Sequence, residues 1–391
     1  MISPYEHVAV HTRLTHVLKV AQIGRRLAER LLDPKANLVA QGGGLNADVV
    51  EAAALAHDLG HPPFGHVVEE KLNELAEKEF KKSKIRGDGF EGNAQSFRLV
   101  TRLEGRGAKS TAGLDLTRAT LNALLKYPWL NGKNPKKPKK WGAYNSEITD
   151  FDFARDKLAS NKAWSLKQTL EAEIMDWADD ITYAVHDLED FYRARRIPLH
   201  LLRDTGGSKE EIESVLDHTF SRLQIDEAER DEYKSIAFGL FGLLPVLEAY
   251  CGSRKQRQAL TDFVNRKLTD FVMKTDIGED GSLKRDPRLD KEVTILKQLT
   301  WFYVIEDPAL AEQQHGQRRI VDDLFEIYSH EVESKKPKIL PPASRDQASG
   351  LTNERDKVRF VVDLIAGMGE QEIYKRHQVL TGALVWNRSH L

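Results

Sequence analysis

Between Ala52 and Glu69 the chain reads AAALAHDLGHPPFGHVVE, which sets His57, Asp58, His61, His66 and Glu69 within thirteen residues. Imidazole nitrogens and carboxylate oxygens are the usual protein ligands for Zn, Mn, Fe or Ni ions. A lone buried histidine is more often a hydrogen-bonded core residue than a ligand. An HD dipeptide also arises readily by chance in a chain with 13 histidines. Three histidines and two acids around one broken helix are harder to attribute to chance, and they predict a metal site. The elements around them follow from local signals. An apolar helix with Asp48 as its N-cap runs up to His57-Asp58. Gly60 is expected as its C′ stop, with Pro62 and Pro63 barring continuation. The chain then restarts, with His66 and Glu69 one helical turn apart.

His57 and Asp58 alone are too few ligands, so others must come from distant segments. His16 opens an amphipathic helix predicted over Thr15–Leu32, where Val17, Val20, Ala21, Gly24, Leu27, Ala28 and Leu31 recur at helical spacing. A long helical pattern from Ser165 to Arg193 contains ADDITYAVHDLED. There Asp179, Tyr183 and Asp187 drift only about 80° around the helix and share a face. Asp180, Tyr183 and Asp187 fit that face as well, and spacing does not choose between the two aspartates. An acidic helical face is usually just solvated. The apolar residues around this one, from Ile174 to Leu188, instead suggest a mostly buried helix whose acids need partners.

The chain has 391 residues, 40% of them hydrophobic, with 30% charged and a net charge of −2. That balance excludes a strong global bias toward nucleic acid or membrane. A single cysteine, Cys251, rules out an intrachain disulfide framework and fits a reducing cytoplasm. The N-terminus has no apolar signal region, and the most apolar stretch, Ile236 to Tyr250, is too short for a bilayer. A soluble cytoplasmic protein without membrane contact is expected.

Helical periodicity dominates throughout, which predicts an all-α fold. Further helices are expected over Glu69–Phe80, from Phe90–Gln95 to about Leu103, and from a Thr117 cap to about Lys126. Loops are expected at Gln41–Gly44, at the linker Gly206–Gly207 and at Pro337–Asp346, and a hairpin between Asp276 and Leu289. The lysine-rich run Asn131–Lys140 reads as a solvated loop, with a flexible clamp on polyphosphate or a nucleic-acid strand as the functional alternative. The stripes Leu296, Leu299, Thr300, Tyr303 and Ile320, Leu324, Ile327, Tyr328 read as core. No internal repeat, Gly-rich phosphate loop or nucleophile elbow is present. The expected division is a core with the metal site over 1–205 and a C-terminal helical region over 206–391 packed on it as one continuous globular unit.

The H…HD…D pattern resembles that of the HD-domain metal-dependent phosphohydrolases. The blocks HTRLTHVLKVAQIGR, AHDLGHPPFGH, GFEGNAQSFR, KYPW followed by lysines, and ADDITYAVHDLED are similar to one branch, the bacterial dGTPase-like deoxynucleoside triphosphate triphosphohydrolases. The match runs in order from about residue 11 to 200. It continues more loosely through ILKQLTWFYVIEDP, GQRRIVDDLF and VDLIAGM. The resemblance implies an all-α HD fold with additional C-terminal helices, and metal ligation by His16, His57, Asp58 and Asp179. It is this pattern that selects Asp179 over Asp180. It further implies that Tyr183 and Asp187 face the sugar, that Arg13 reaches a phosphate, and that His61 lies on the phosphate side. His66 would be the catalytic histidine, oriented by Glu69.

The implied reaction is hydrolysis of a dNTP to deoxynucleoside and tripolyphosphate with a divalent ion, Mn or Mg before Zn, Fe, Ni or Co. A homo-oligomer is expected, with the Phe238–Leu247 stretch available to an interface, and a dNTP or single-stranded DNA as allosteric partner. Asn93 or Gln95 would bind substrate, although a helix N-terminal turn accounts for them equally. Arg318 and Arg319 read as surface arginines, with a phosphate contact as the alternative. Members of the group carry a segment ahead of the HTRLTH block, where this chain has ten residues before His11. Either the start is unusual or the base and sugar pocket is completed differently, as by a neighbouring subunit. Rival readings are an HD phosphohydrolase acting on nucleoside monophosphates or cyclic nucleotides, and a regulator that binds single strands with little turnover.

Overall fold

The computed structural model describes residues 12–32, 38–39, 43–105, 113–156, 165–203 and 209–383. His11, Gln41–Gly42, Gly206–Gly207 and the expected boundary at 205 lie outside the described residues. The described chain is helical, with one two-stranded antiparallel hairpin, Asp276–Ile277 against Leu283–Lys284, where a hairpin was expected. The helices that carry the argument are α1 (Arg13–Leu32), α2 (Ala47–Ala56), α3 (His66–Lys82), α4 (Gly92–Arg98), α5 (Leu170–Arg193), α6 (Pro287–Thr300) and α7 (Glu354–Ala366). The chain divides into two compact units: Met1–Leu55 with Thr169–Leu310, and Ala56–Gln168 with Ala311–Leu391.

In the first unit, α5 is central and packs against α1, α6 and the helix Arg254–Lys274. The predicted stripe of α1 from Val17 to Leu31 is buried. Burying a Val, Leu or Ile side chain stabilises by roughly 1.5–3 kcal/mol, so this face rather than helix propensity holds α1 on α5. Gly24 lets α1 approach α2 closely, since a Cβ there would sit 3.0 Å from Val50 Cγ1. Asp48 is not the N-cap of α2. Asn46 is, because its side chain accepts from the amides of Asp48 (2.8 Å) and Val49 (3.3 Å), while Asp48 accepts from Arg25 at 2.7 Å. α5 starts at Leu170 rather than near Ser165, where Thr169 caps it through the Ala172 amide. Buried Trp177 of α5 donates to Thr275 Oγ1 at 2.9 Å, which fixes the chain entering the hairpin. Leu296, Leu299 and Thr300 are buried in α6 as expected. Within Phe238–Leu247, Leu240, Phe241, Leu244 and Val246 are core, while Leu243 and Leu247 are exposed.

In the second unit, α3 buries Val68, Leu72, Leu75, Ala76 and Phe80 in a core shared with α7 (Val358, Val361, Val362, Ile365) and with Val321, Leu324 and Tyr328 of the helix Pro308–Val332. A second cluster joins Phe97 and Val100 to Leu121, Leu124 and Phe151. Thr117 caps Arg118–Leu124 by accepting from the Thr120 amide, as predicted. Pro337–Asp346 is not wholly loop, for Pro342–Ser349 forms a helix. A proline is well placed at a first helical position, where no N–H is needed and φ is preset. Among the described residues, no helix is long and apolar enough to cross a membrane.

Candidate functional site

In the second unit the histidine-rich segment is a turn locked onto α4. α2 ends at Ala56, and His57 to Gly60 form the turn. Gly60 is not a left-handed helix stop. It is glycine because its backbone lies against α4, where a Cβ would overlap the Ser96 amide and the Gly92 carbonyl. The Ser96 hydroxyl accepts from the Gly60 amide and donates to the His57 carbonyl, both at 2.9 Å. His61 is tucked against Gly92, where a side chain would come within 3.0 Å of the imidazole. The left-handed turn is made instead by Phe64 (φ 65) and Gly65 (φ 65), just before His66 opens α3. A bulky residue there costs about 1–2 kcal/mol, and Phe64 is held by packing on Tyr374, ring centroids 5.0 Å apart.

This turn sets His57 Nε2 at 3.5 Å and His61 Nδ1 at 3.1 Å from the same Asp58 oxygen. Burial holds the pKa of His61 below the usual histidine value, so it is neutral near pH 7. One turn into α3, His66 Nδ1 lies 2.7 Å from Glu69 Oε2. An ionised carboxylate only accepts, so Nδ1 carries the proton and Nε2 faces outward. The His66 side chain is 77% exposed and that of Glu69 only 9%. The bond to Glu69 raises the His66 pKa against the opposing effect of desolvation. Burial disfavours a charged Glu69, but the bond to His66 and the charge of Lys140 prevail and hold it below the usual carboxylate range.

Lys140 is a participant that sequence reasoning missed. Its ammonium lies 3.0 Å from Glu69 Oε1 and 3.0 Å from Glu91 Oε1, bridging two buried carboxylates. Its burial is offset by those two charges, which keep the lysine protonated. Four other lysines of the Asn131–Lys140 loop are exposed, as a solvated loop requires. The aromatic residues at its ends were the available signal. Trp129 and Trp141 are buried, and Trp129 Nε1 donates to the Lys140 carbonyl at 2.6 Å. Glu91 was also missed. It caps α4 by accepting from the amides of Asn93 and Ala94. The Asn93 side chain donates to it at 2.9 Å. Gln95 pairs with Asp363 and Tyr144. Arg318 and Arg319 are engaged with Glu70 and Asp323.

In the first unit α1 and α5 set His16 Nε2 3.1 Å from Asp179 Oδ1. The neighbouring Asp180 instead accepts from Lys297 of α6 at 2.7 Å. The two aspartates that spacing left equivalent are thus separated by their partners. Lys297 also sits 5.8 Å from the centre of the Tyr183 ring, which makes it a third residue that sequence reasoning did not single out. Asp187, on the same stretch of α5, is pushed up to about 7 by burial, partly countered by His16. Arg13 is exposed in the first turn of α1. Each unit therefore presents an imidazole nitrogen and a carboxylate oxygen at close range, a donor set that suits a divalent cation.

Comparison with known proteins agrees with this chemistry. The HD domain family matches residues 13–184, and the phosphohydrolase-associated domain matches residues 283–379. A deoxyguanosinetriphosphate triphosphohydrolase-like protein of Streptomyces coelicolor is 34% identical, covering 97% of this chain and 86% of that protein. Proteins of the same description from Corynebacterium efficiens (33% identical) and Shewanella pealeana (30%) each cover 95% of this chain and 84% of their own length.

Proposed function

The chain belongs to the deoxyguanosinetriphosphate triphosphohydrolase-like proteins and is an HD-domain hydrolase, and from that premise we propose that it hydrolyses dNTPs, dGTP among them, to a deoxynucleoside and inorganic tripolyphosphate. The observation that carries the reading is the His66–Glu69 pair, an exposed imidazole held in one tautomer by a buried carboxylate at 2.7 Å. Such a group delivers a proton from Nε2, which a poor leaving group such as a 5′ oxygen needs.

HD domains bind divalent metals, and the ligands proposed here are His16, His57, Asp58 and Asp179, with Mn or Mg as the ion. When bound, such an ion supplies Lewis-acid activation of the attacking water and charge to match the phosphates. The remaining roles fall to the chain's own residues. Water attacks the α-phosphorus and the P–O5′ bond breaks, while His66 passes its Nε2 proton to the departing oxygen. Glu69 steadies the imidazolium form of His66, and Lys140 keeps Glu69 ionised. Arg13 and His61 bind phosphate oxygens. Tyr183 packs on the sugar, where a 2′-hydroxyl would crowd it, and Asp187 accepts from a sugar hydroxyl.

The test is incubation of the purified protein with each dNTP and NTP plus Mn or Mg, resolving products by chromatography. Tripolyphosphate and deoxynucleoside in equal amounts are expected, with loss in His57→Ala and Asp58→Ala and less discrimination between dGTP and GTP in Tyr183→Ala. Orthophosphate from a deoxynucleoside monophosphate, with no tripolyphosphate from any dNTP, would overturn the reading in favour of another HD phosphohydrolase.

A further inference from the structure

The second unit holds a cavity of about 580 Å³, lined by residues from the end of α3, the loop after it, the lysine-rich loop and α7. Its volume falls within the ~300–1,000 Å³ typical of small-ligand pockets. None of its lining residues belongs to the proposed metal or catalytic set. We propose that this cavity is a second binding site, for a small phosphate-bearing anion.

The argument begins with Arg359, which lines the cavity from α7 and is only 7% exposed. Its Nη2 donates to the Gly89 carbonyl at 2.7 Å, and its guanidinium lies 3.8 Å over the Tyr144 ring. Its Nη1 is buried with no hydrogen-bond partner among the described residues. A buried donor left without an acceptor is costly, so an acceptor brought in by a ligand is favoured there. The side chains of Arg86, Lys133 and Arg355 also line the cavity, are exposed, and have no ion-pair or hydrogen-bond partner among the described residues.

The acids in the wall are already engaged and offer the ligand little repulsion. Asp363 accepts from Arg98, the fifth basic residue of the wall, and from Gln95. Asp88 accepts from the amide and side chain of Asn145, and Asp356 from the Asn353 side chain at 2.7 Å. Five basic residues thus stand against three acids, and the basic ones hold the unused donors. Guanidinium forks match phosphate oxygens two at a time, which favours phosphate over a simple halide. Asn131, Ser146 and Gln347 supply neutral polar groups to the same wall.

The experiment is isothermal titration calorimetry with sodium tripolyphosphate and orthophosphate as probes, in EDTA at about 0.15 M salt. A His57→Ala background keeps the proposed metal site from contributing, and no turnover enters the readout. Saturable binding of tripolyphosphate at one site is expected, weakened at least about tenfold in Arg86→Ser/Arg355→Ser, whose side chains are exposed so that folding is retained. Arg359→Lys, which keeps a charge but loses the fork, should weaken it as well, with thermal melts confirming the fold. No saturable binding, or binding equally tight in the double variant, would overturn the proposal. Either result leaves the reading of the HD site untouched.

Discussion

In the first unit His16 faces Asp179 at 3.1 Å with both side chains similarly shielded, 17% and 19% exposed. In the second unit His66 faces Glu69 at 2.7 Å, but the imidazole is 77% exposed and the carboxylate 9%. Each pair joins an imidazole to a carboxylate, and the surroundings differ. Asp179 has its aspartate neighbour tied off by Lys297, whereas Glu69 is bound directly by Lys140 and by the Gly92 amide at 3.2 Å. A pair whose two donors are equally and only slightly exposed suits a cation brought from solution. A pair with its acid pinned from behind suits a proton that must leave in one direction. Under the proposed roles, a ligand set in one unit and an acid in the other, it is the next layer of contacts that distinguishes the two pairs.

The sharpest way to break this contrast is to remove a donor from each pair. Asp179→Ala and Asp58→Ala are each expected to lower kcat/KM by about 1,000-fold or more and to lower the bound metal measured by elemental analysis. Full metal content in Asp179→Ala would end the ligand assignment. Asp180→Asn, one position away, should change kcat/KM by less than about threefold, because its partner is Lys297. His66→Ala is expected to cost about 100- to 1,000-fold in kcat with metal content unchanged, the signature of proton transfer rather than ligation.

Glu69→Gln sharpens the second half of the comparison. Glu69 raises the His66 pKa, so protonated His66 persists to higher pH in the wild type. Without the carboxylate, the alkaline fall of the pH–rate profile should move to lower pH, with kcat down about 10- to 100-fold. An unmoved alkaline limb would mean that His66 is not the acid. Lys140→Met should destabilise the fold by about 3 kcal/mol in thermal or urea melts, since Glu69 and Glu91 are left buried without a cation.

The smallest effect concerns Asp187, whose folded pKa is raised to about 7. Below the unfolded value the residue is protonated in both states. As pH rises toward 7 the folded state keeps a proton that the unfolded state releases, so stability is lost across that window. Asp187→Asn should therefore raise Tm relative to wild type at pH 8, by about 1–2 kcal/mol equivalent after solvent screening, and leave it unchanged near pH 4.

Much of this was readable from local pattern. The α1 stripe, the Thr117 cap, the hairpin after Asp276 and the one-turn spacing of His66 and Glu69 depend on neighbours in sequence, and the structure has each of them. What escaped depends on distant residues. Asp179 and Asp180 differ by one step of rotation on α5. Helical spacing left them equivalent and only the family pattern chose Asp179, whereas α1 and α6, which bring His16 and Lys297, give them different partners. Lys140 differs locally from the other loop lysines only in its neighbour Trp141, and its carboxylates come from 71 and 49 positions away. Gly60 looked like a helix stop because glycine often is one, while its reason here is the backbone of α4 alongside.

The loop that ends in Lys140 also provides a chemical report on the folded state. An amine-acylating reagent applied briefly should label Lys133, Lys136, Lys137 and Lys139, which lie open to solvent, and spare Lys140, whose amine is held between Glu69 and Glu91. A mass-spectrometric map of that one peptide would then show reactivity appearing at its final lysine as soon as the acid pair behind it comes apart.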